Sequence, residues 1–378
     1  MLKVFRRPLN ASVAVVVFAA SAAAHALPAQ RPTDSSFAGL VARLSESGGY
    51  FDSDNIVSNE ASYLQIASQL KKVGTHGGAY IGVGPDQNFS YIALIRPQVA
   101  FMLDVRRDNM LEHLLFKSLF MLSRNRLEFL LQLFGKPIPS DIASWTGRPI
   151  GAVLAAVAEA RSDSQSVAAA RRASNDKIAG FGVPLTPHDR EMIDRYRATF
   201  VEEGLDTRYS SIGRNNRGDY PSFGILLMET DRAGRQLSYL ADESEFQFVR
   251  NMQMNGRIIP VVGNVAGDKA LKAIGTYATE HGLKISAFYL SNVEQYLMGR
   301  DGGFDEYAKN VKALPYDSTS VIIRSFFGRF GTPHPLYVAG HGSVSTSMIE
   351  PITSFVRAFT AGELTNYSAL VFDRYIKP

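Results

Sequence analysis

Cysteine is absent from all 378 residues. That excludes disulfides, a thiol nucleophile, thiolate metal sites and a lipid-anchoring cysteine in any compartment. Several catalytic signatures are missing as well. There is no G-x-x-x-x-G-K-[ST] phosphate loop and no G-x-S-x-G nucleophile elbow. His76-Gly77-Gly78 and Gly340-His341-Gly342-Ser343 are glycine-rich loops that lack such an elbow. None of the seven histidines falls in an H-x3-H or HExxH pattern. His334 and His341 flank a strand with no carboxylate at ligand spacing, so no metal site is expected.

Charge is missing from the start of the chain. After Lys3, Arg6 and Arg7 no charged residue follows until Arg31. Between them runs the apolar stretch Ala11-Ser12-Val13-Ala14-Val15-Val16-Val17-Phe18-Ala19-Ala20, and then the small-residue site Ala24-His25-Ala26. This is the layout of a secretory signal peptide over residues 1–26. A membrane anchor needs about 20 apolar residues, and this stretch is shorter. The expectation is an exported protein, periplasmic or secreted, with no stable membrane span after cleavage. Losing three positive charges takes the net charge from +4 to +1. The pI of 9.1 is then partly the signal peptide's, and no nucleic-acid partner is expected.

What remains is ordinary for a globular protein, with 23 Phe and 16 Tyr as material for a large core. Residues 27–36 read as a flexible leader, and residues 27–378 as a single domain. Helices are predicted over residues 40–44 and 60–71, the latter from Leu64, Ile66 and Leu70 at helical spacing. A breaker cluster at 74–78 precedes the apolar strand Ala79-Tyr80-Ile81. Then come a loop at 82–89, a helix at 90–96 stopped by Pro97, and a second strand at 99–103. Residues 110–172 read as mostly helical, with 160–178 either an exposed helix or a hinge, and 184–204 holds another helix. A second α/β run follows: strand 258–262, helix 269–281 closed by Gly282, strand 284–290, helix 304–314 and strand 320–324. This alternation predicts an α/β fold with a doubly wound, mainly parallel Rossmann-like sheet. A large helical insertion, about residues 110–256, then lies between its second and third strands.

The most informative stretch is Gly82-Val83-Gly84, between an apolar strand and a helix. A tight strand-to-helix turn needs glycine where φ is positive or where a ligand approaches the backbone. Asp104 ends the next strand, 20 residues after Gly84. From there a carboxylate reaches the hydroxyls of a ribose bound over the loop. Arg106, at the same edge, either clamps an anionic group or pairs with Glu112 or Asp86.

Residues 79–109 resemble motifs I and II of class I S-adenosylmethionine-dependent methyltransferases. The wording GVGPDQNF, DVRRDN and SNVEQYL is similar to an uncharacterised bacterial branch of that superfamily. The resemblance implies that Gly82 and Gly84 face the methionine and ribose portions of S-adenosylmethionine and that Asp104 takes the ribose hydroxyls. Gly263-Asn264-Val265-Ala266-Gly267-Asp268 looks like the loop after the third strand, where Asn264 or Asp268 would read the adenine. Ser291-Asn292-Val293-Glu294 looks like the motif facing the transferred methyl group. There Ser291 lies by the cofactor, Asn292 and Glu294 lie near the acceptor, and Glu294 is the candidate base. The pattern departs from the family in three places: Tyr80 and Ile81 stand where an acid usually precedes the first glycine, Asp86 holds the third glycine position, where it is a candidate cofactor contact, and roughly 150 residues, Met110 to Gly256, come before the third strand. Two classes stay open. One is methyl transfer to an unknown acceptor. The other is a non-catalytic exported small-ligand-binding or interaction protein on a reused scaffold.

Overall fold

The computed structural model describes residues 36–211, 218, 220–299, 302–328, 333–338 and 345–378. The signal-peptide reading of residues 1–26 and the loop at 340–343 lie outside these. Residues 32–378 form one unit. Among the described residues the chain runs α1 (Phe37–Leu44), α2 (Ala67–Val73), β1 (Ala79–Gly82), α3 (Gln87–Ile95) and β2 (Val99–Asp104). Seven helices come next: α4 (Arg107–Leu122), α5 (Arg126–Leu133), α6 (Ile150–Glu159), α7 (Ser164–Gly180), α8 (Pro187–Glu203), α9 (Phe223–Met228) and α10 (Glu243–Met254). The second run is β3 (Ile258–Val262), α11 (Ala270–Glu280), β4 (Ile285–Tyr289), α12 (Val293–Met298), α13 (Phe304–Lys312) and β5 (Val321–Phe327). It closes with β6 (Ser345–Pro351), α14 (Ile352–Thr360) and α15 (Tyr367–Phe372).

The six strands form one sheet in the order β3-β2-β1-β4-β5-β6. Strands β1 to β5 run parallel, and β6 lies antiparallel to β5 at the edge. Every residue of β1 to β4 is buried, because a parallel sheet is covered on both faces. Register and alternation assign those faces. Ile81 pairs with Phe101 and Phe288; Phe101 meets Tyr277 of α11, and Phe288 meets Tyr307 of α13. Tyr80 and Tyr289 point to the opposite face, against Tyr91 of α3. The strand order reverses direction between β1 and β4, and at such a point the loops diverge and leave a crevice at the carboxyl ends of the strands.

Several elements differ from the sequence reading. Helix α3 begins at Gln87, three residues earlier than predicted. The Asn88 amide donates to the Val83, Gly84 and Pro85 carbonyls, which folds the loop directly onto the helix start. Residues 164–180 are a helix, capped by the Asp163 side chain. Strand β6 and helix α10 were not anticipated. Ser345-Thr346-Ser347 in β6 are buried although hydrophilic, so no apolar run marks that strand.

Candidate functional site

The C-terminal edge of the sheet is crossed by one stretch of chain, residues 45–62, which visits the strand ends in sheet order. At β3, Glu46 N–H donates to the Val262 carbonyl at 2.9 Å and Val262 N–H donates to the Ser45 hydroxyl at 3.0 Å. Just past β2, Gly49 N–H donates to the Val105 carbonyl at 2.7 Å. Past β1, Asn55 lies over Gly84. Glu60 accepts from Ser291, after β4, and from Ser325 of β5. Ser62 reaches Ser347 and Ser345 of β6 at 3.0 and 3.1 Å. We call this stretch the strap.

Between strap and sheet lies a cavity of about 560 Å³. Its floor is Val83, Leu103, Asp104, Gly263, Ser291 and Asn292, from the ends of β1 to β4. Its rim is aromatic. Tyr50 and Phe51 come from the strap, Tyr209 and Tyr220 from the stretch after α8, Tyr296 from α12 and Phe327 from β5. Phe51 meets Tyr296 edge-on at 5.0 Å, and Tyr209 meets Tyr220 edge-on at 4.9 Å. Such pairs give rigid walls that grip flat, partly polar ligands.

Asp104 stands at the end of β2 and is 9% exposed. Its Oδ1 accepts Arg106 N–H at 2.9 Å and lies 3.3 Å from Arg106 Nε. The guanidinium also donates to the Ser53 and Asp54 carbonyls at 3.1 and 3.0 Å. Burial disfavours the Arg106 charge, but the Asp104 carboxylate more than offsets that and holds the group above its ordinary value. Arg106 therefore pairs with Asp104, not with Glu112 or Asp86, and it ties the strap to the sheet. Arg106 Nη2 also donates to Asp104 Oδ2 at 3.4 Å, so of about four acceptor positions Arg106 takes three and one on Oδ2 is left toward the cavity.

Asp104, Arg106, Asn264, Ser291 and Asn292 thus come together on one cavity. The other predicted residues lie elsewhere. A Cβ at Gly82 would collide with Asn88 and Tyr80, which hydrogen-bond each other at 2.7 Å. Gly84 has φ +79°, and Asn55 Nδ2 sits 3.1 Å from its would-be Cβ. Side chains of this chain therefore fill the space over both glycines. Asp86 is buried behind the loop, where Tyr239 donates to it at 3.3 Å, and burial pushes its carboxyl up to about 7. Asp268 is exposed and pairs with Lys272 at 3.0 Å, away from the cavity. Glu294 faces the core instead of the cavity. Arg324 holds both its oxygens and Tyr307 donates at 2.9 Å. Arg324 in turn pairs with Glu350 at 2.8 Å. The carboxylate expected as a base is part of a buried ion-pair network.

Sequence reasoning missed the strap, the aromatic rim and Glu60. Glu60 was read as the first residue of a helix; it lies in the turn before a short 3-10 helix at Tyr63–Ile66. No local motif marks it, because its partners are up to 265 residues away.

The chain belongs to a family defined by a domain of unknown function (DUF7790), whose model matches residues 55–139 and 223–371. No curated protein matches it in sequence. The matched stretches hold the cavity floor, Glu60 and the whole sheet. The rim residues Tyr50, Phe51, Tyr209 and Tyr220 lie outside them.

Proposed function

We propose that the protein is an exported, methyltransferase-like α/β protein, with a helical insertion between β2 and β3, that binds S-adenosylmethionine or a closely related adenosyl ligand in the strap cavity. One observation carries the reading: a cavity of about 560 Å³ at the carboxyl ends of the strands, beside the β1/β4 reversal, with a carboxylate at the end of β2. The volume falls within the roughly 300–1,000 Å³ of small-ligand sites. The aromatic rim suits a nucleobase, and the open side of Asp104 Oδ2 suits a ribose hydroxyl. Asn264 stands on the β3 loop at the adenine end, and Ser291 and Asn292 stand at the reacting end. S-adenosylmethionine supplies an electrophilic methyl group on a sulfonium. The chain's part is to hold that group and an acceptor in line and to exclude water.

A second reading, binding without turnover, is favoured by Glu294, whose engagement with Arg324 removes the expected base from the cavity. Both readings share one first test. Mature protein from its native host, with an intact mass that begins at Leu27, is melted with millimolar S-adenosylmethionine, its demethylated product and other nucleotides. A ligand at 100 times its dissociation constant adds about 2.7 kcal/mol, and the adenosyl ligands are expected to raise the Tm. A shift with a different metabolite alone, or an N-terminus at Met1, would count against the proposal.

A further inference from the structure

One buried acid behind the cavity wall, Glu60, is accounted for by none of the residues assigned above. It is 1% exposed, and among the described residues no cation pairs with it. Its partners are hydroxyls and an amide: Ser291 and Ser325 donate to its two oxygens, and Gln87 Nε2 donates at 3.1 Å. The other titratable groups facing it are Tyr80 from β1, Tyr91 from α3, Tyr289 from β4 and Tyr367 from α15. An unpaired buried acid is costly and is usually replaced or neutralised unless it has a use.

Ser291 is the link to the cavity. It lines the cavity, and it holds a left-handed backbone, φ +52°, at the strand-to-helix turn between β4 and α12. A non-glycine residue there is strained, and such strain clusters at working sites. Ser325 N–H donates to the Ser291 carbonyl at 2.8 Å and fixes the turn. Behind Glu60 the hydroxyls continue. Ser325 lies 3.2 Å from Ser347, and Ser347 lies 3.0 Å from the half-buried Ser62. An unbroken chain of hydroxyls and one carboxylate therefore runs from the cavity wall through the sheet edge toward the surface.

We propose that Ser291 and Glu60 form the proton-accepting end of the cavity and that the molecule acted on there carries a hydroxyl or an ammonium group that must lose its proton. This rests on the methyltransferase reading and supplies the base that Glu294 does not. In the step, the acceptor's proton passes to Ser291 Oγ as the Ser291 proton passes to the Glu60 carboxylate. The acceptor gains a lone pair, Ser291 is unchanged and Glu60 becomes neutral. The proton then leaves through Ser325, Ser347 and Ser62. Burial holds the Glu60 carboxyl above its ordinary value, and the serine, amide and tyrosine hydrogen bonds offset this only in part. A carboxyl raised in this direction is a stronger proton acceptor than an exposed glutamate.

The test uses mature wild type, Glu60→Gln and Ser291→Ala. Methyl transfer from S-adenosylmethionine to a panel of small phenols, alcohols and amines is followed against pH, beside S-adenosylmethionine affinity. The Glu60 carboxyl band, assigned by its loss in Glu60→Gln, is titrated by infrared spectroscopy. The wild-type rate should rise with pH and level off above the Glu60 midpoint. Glu60→Gln should be slower by about 100-fold or more and lose that step of the profile, with affinity changed less than twofold. Ser291→Ala should be slowed and should raise the Glu60 midpoint. An unchanged profile in Glu60→Gln would overturn the proposal, and so would tight cofactor binding with no protic acceptor methylated. If S-adenosylmethionine does not bind wild type, the functional reading fails separately, and the infrared midpoint decides for Glu60. A midpoint unmoved by Ser291→Ala would then reject the relay, and a raised one would support it.

Discussion

Asp86 shows how a residue at a motif position can serve the scaffold. It occupies the third glycine position of the loop, yet its side chain turns into the helical layer beside Glu112 and His113. Asp86 Oδ1, both Glu112 oxygens and His113 Nδ1 have no hydrogen-bond partner among the described residues. Burial raises the Asp86 carboxyl to about 7 from 3.8 and lowers His113 to about 4 from 6.5, leaving His113 neutral to hold the Gly84 carbonyl at 2.9 Å. The two groups act in opposite directions. Asp86 favours the folded state fully below pH 3.8 and loses that contribution as pH rises through 7. His113 costs stability as pH falls from 6.5 toward 4. Asp86→Asn should therefore be more stable than wild type at pH 8, by on the order of 1–4 kcal/mol, with the gap closing toward pH 4. Urea midpoints across that range check it, and parallel pH profiles would contradict it. In the sequence, Asp86 was indistinguishable from a ligand contact, because spacing fixes where a residue enters a loop and not which way its side chain turns. Glu294 misled for the same reason. Asp104 was placed at the carboxyl edge by the apolar run that ends there, and the Arg106 backbone and guanidinium two residues on hold its carboxylate at the cavity.

At the level of elements, the strands and their flanking helices were readable from apolar runs and glycine stops, and the strap was not. It holds no helix or strand over residues 45–62, and its order comes from contacts at the ends of all six strands. The strap also lines one side of the cavity, through Tyr50, Phe51, Asp52, Asn55 and Asn59. It is pinned at Glu46, Gly49 and Arg106, whereas Tyr50 is 75% exposed. A ligand packed against Phe51 and Tyr50 should hold this stretch down. Chymotrypsin cleavage after Tyr50 or Phe51 is then expected to slow severalfold in saturating S-adenosylmethionine, because cleavage follows local opening. An unchanged rate with ligand bound would mean that the strap is architecture and not a gate.

For the whole molecule, the alternation of strands and helices was enough to predict a mainly parallel sheet, and that sheet in turn locates the cavity. The antiparallel β6 escaped notice because its buried serines serve the Glu60 network instead of an apolar face. Among the described residues no helix is long and apolar enough to cross a membrane. The central claim is that the carboxyl edge of the sheet binds an adenosyl ligand through Asp104. Calorimetric titration of S-adenosylmethionine into wild type and Asp104→Asn tests it, with denaturant midpoints beside it. The variant loses its charge-assisted bonds, so binding should weaken by roughly 1.5–3 kcal/mol. Some stability should also go, because Arg106 loses its buried partner. A lowered midpoint with unchanged affinity would contradict the account and leave Asp104 and Arg106 as a structural pair that anchors the strap.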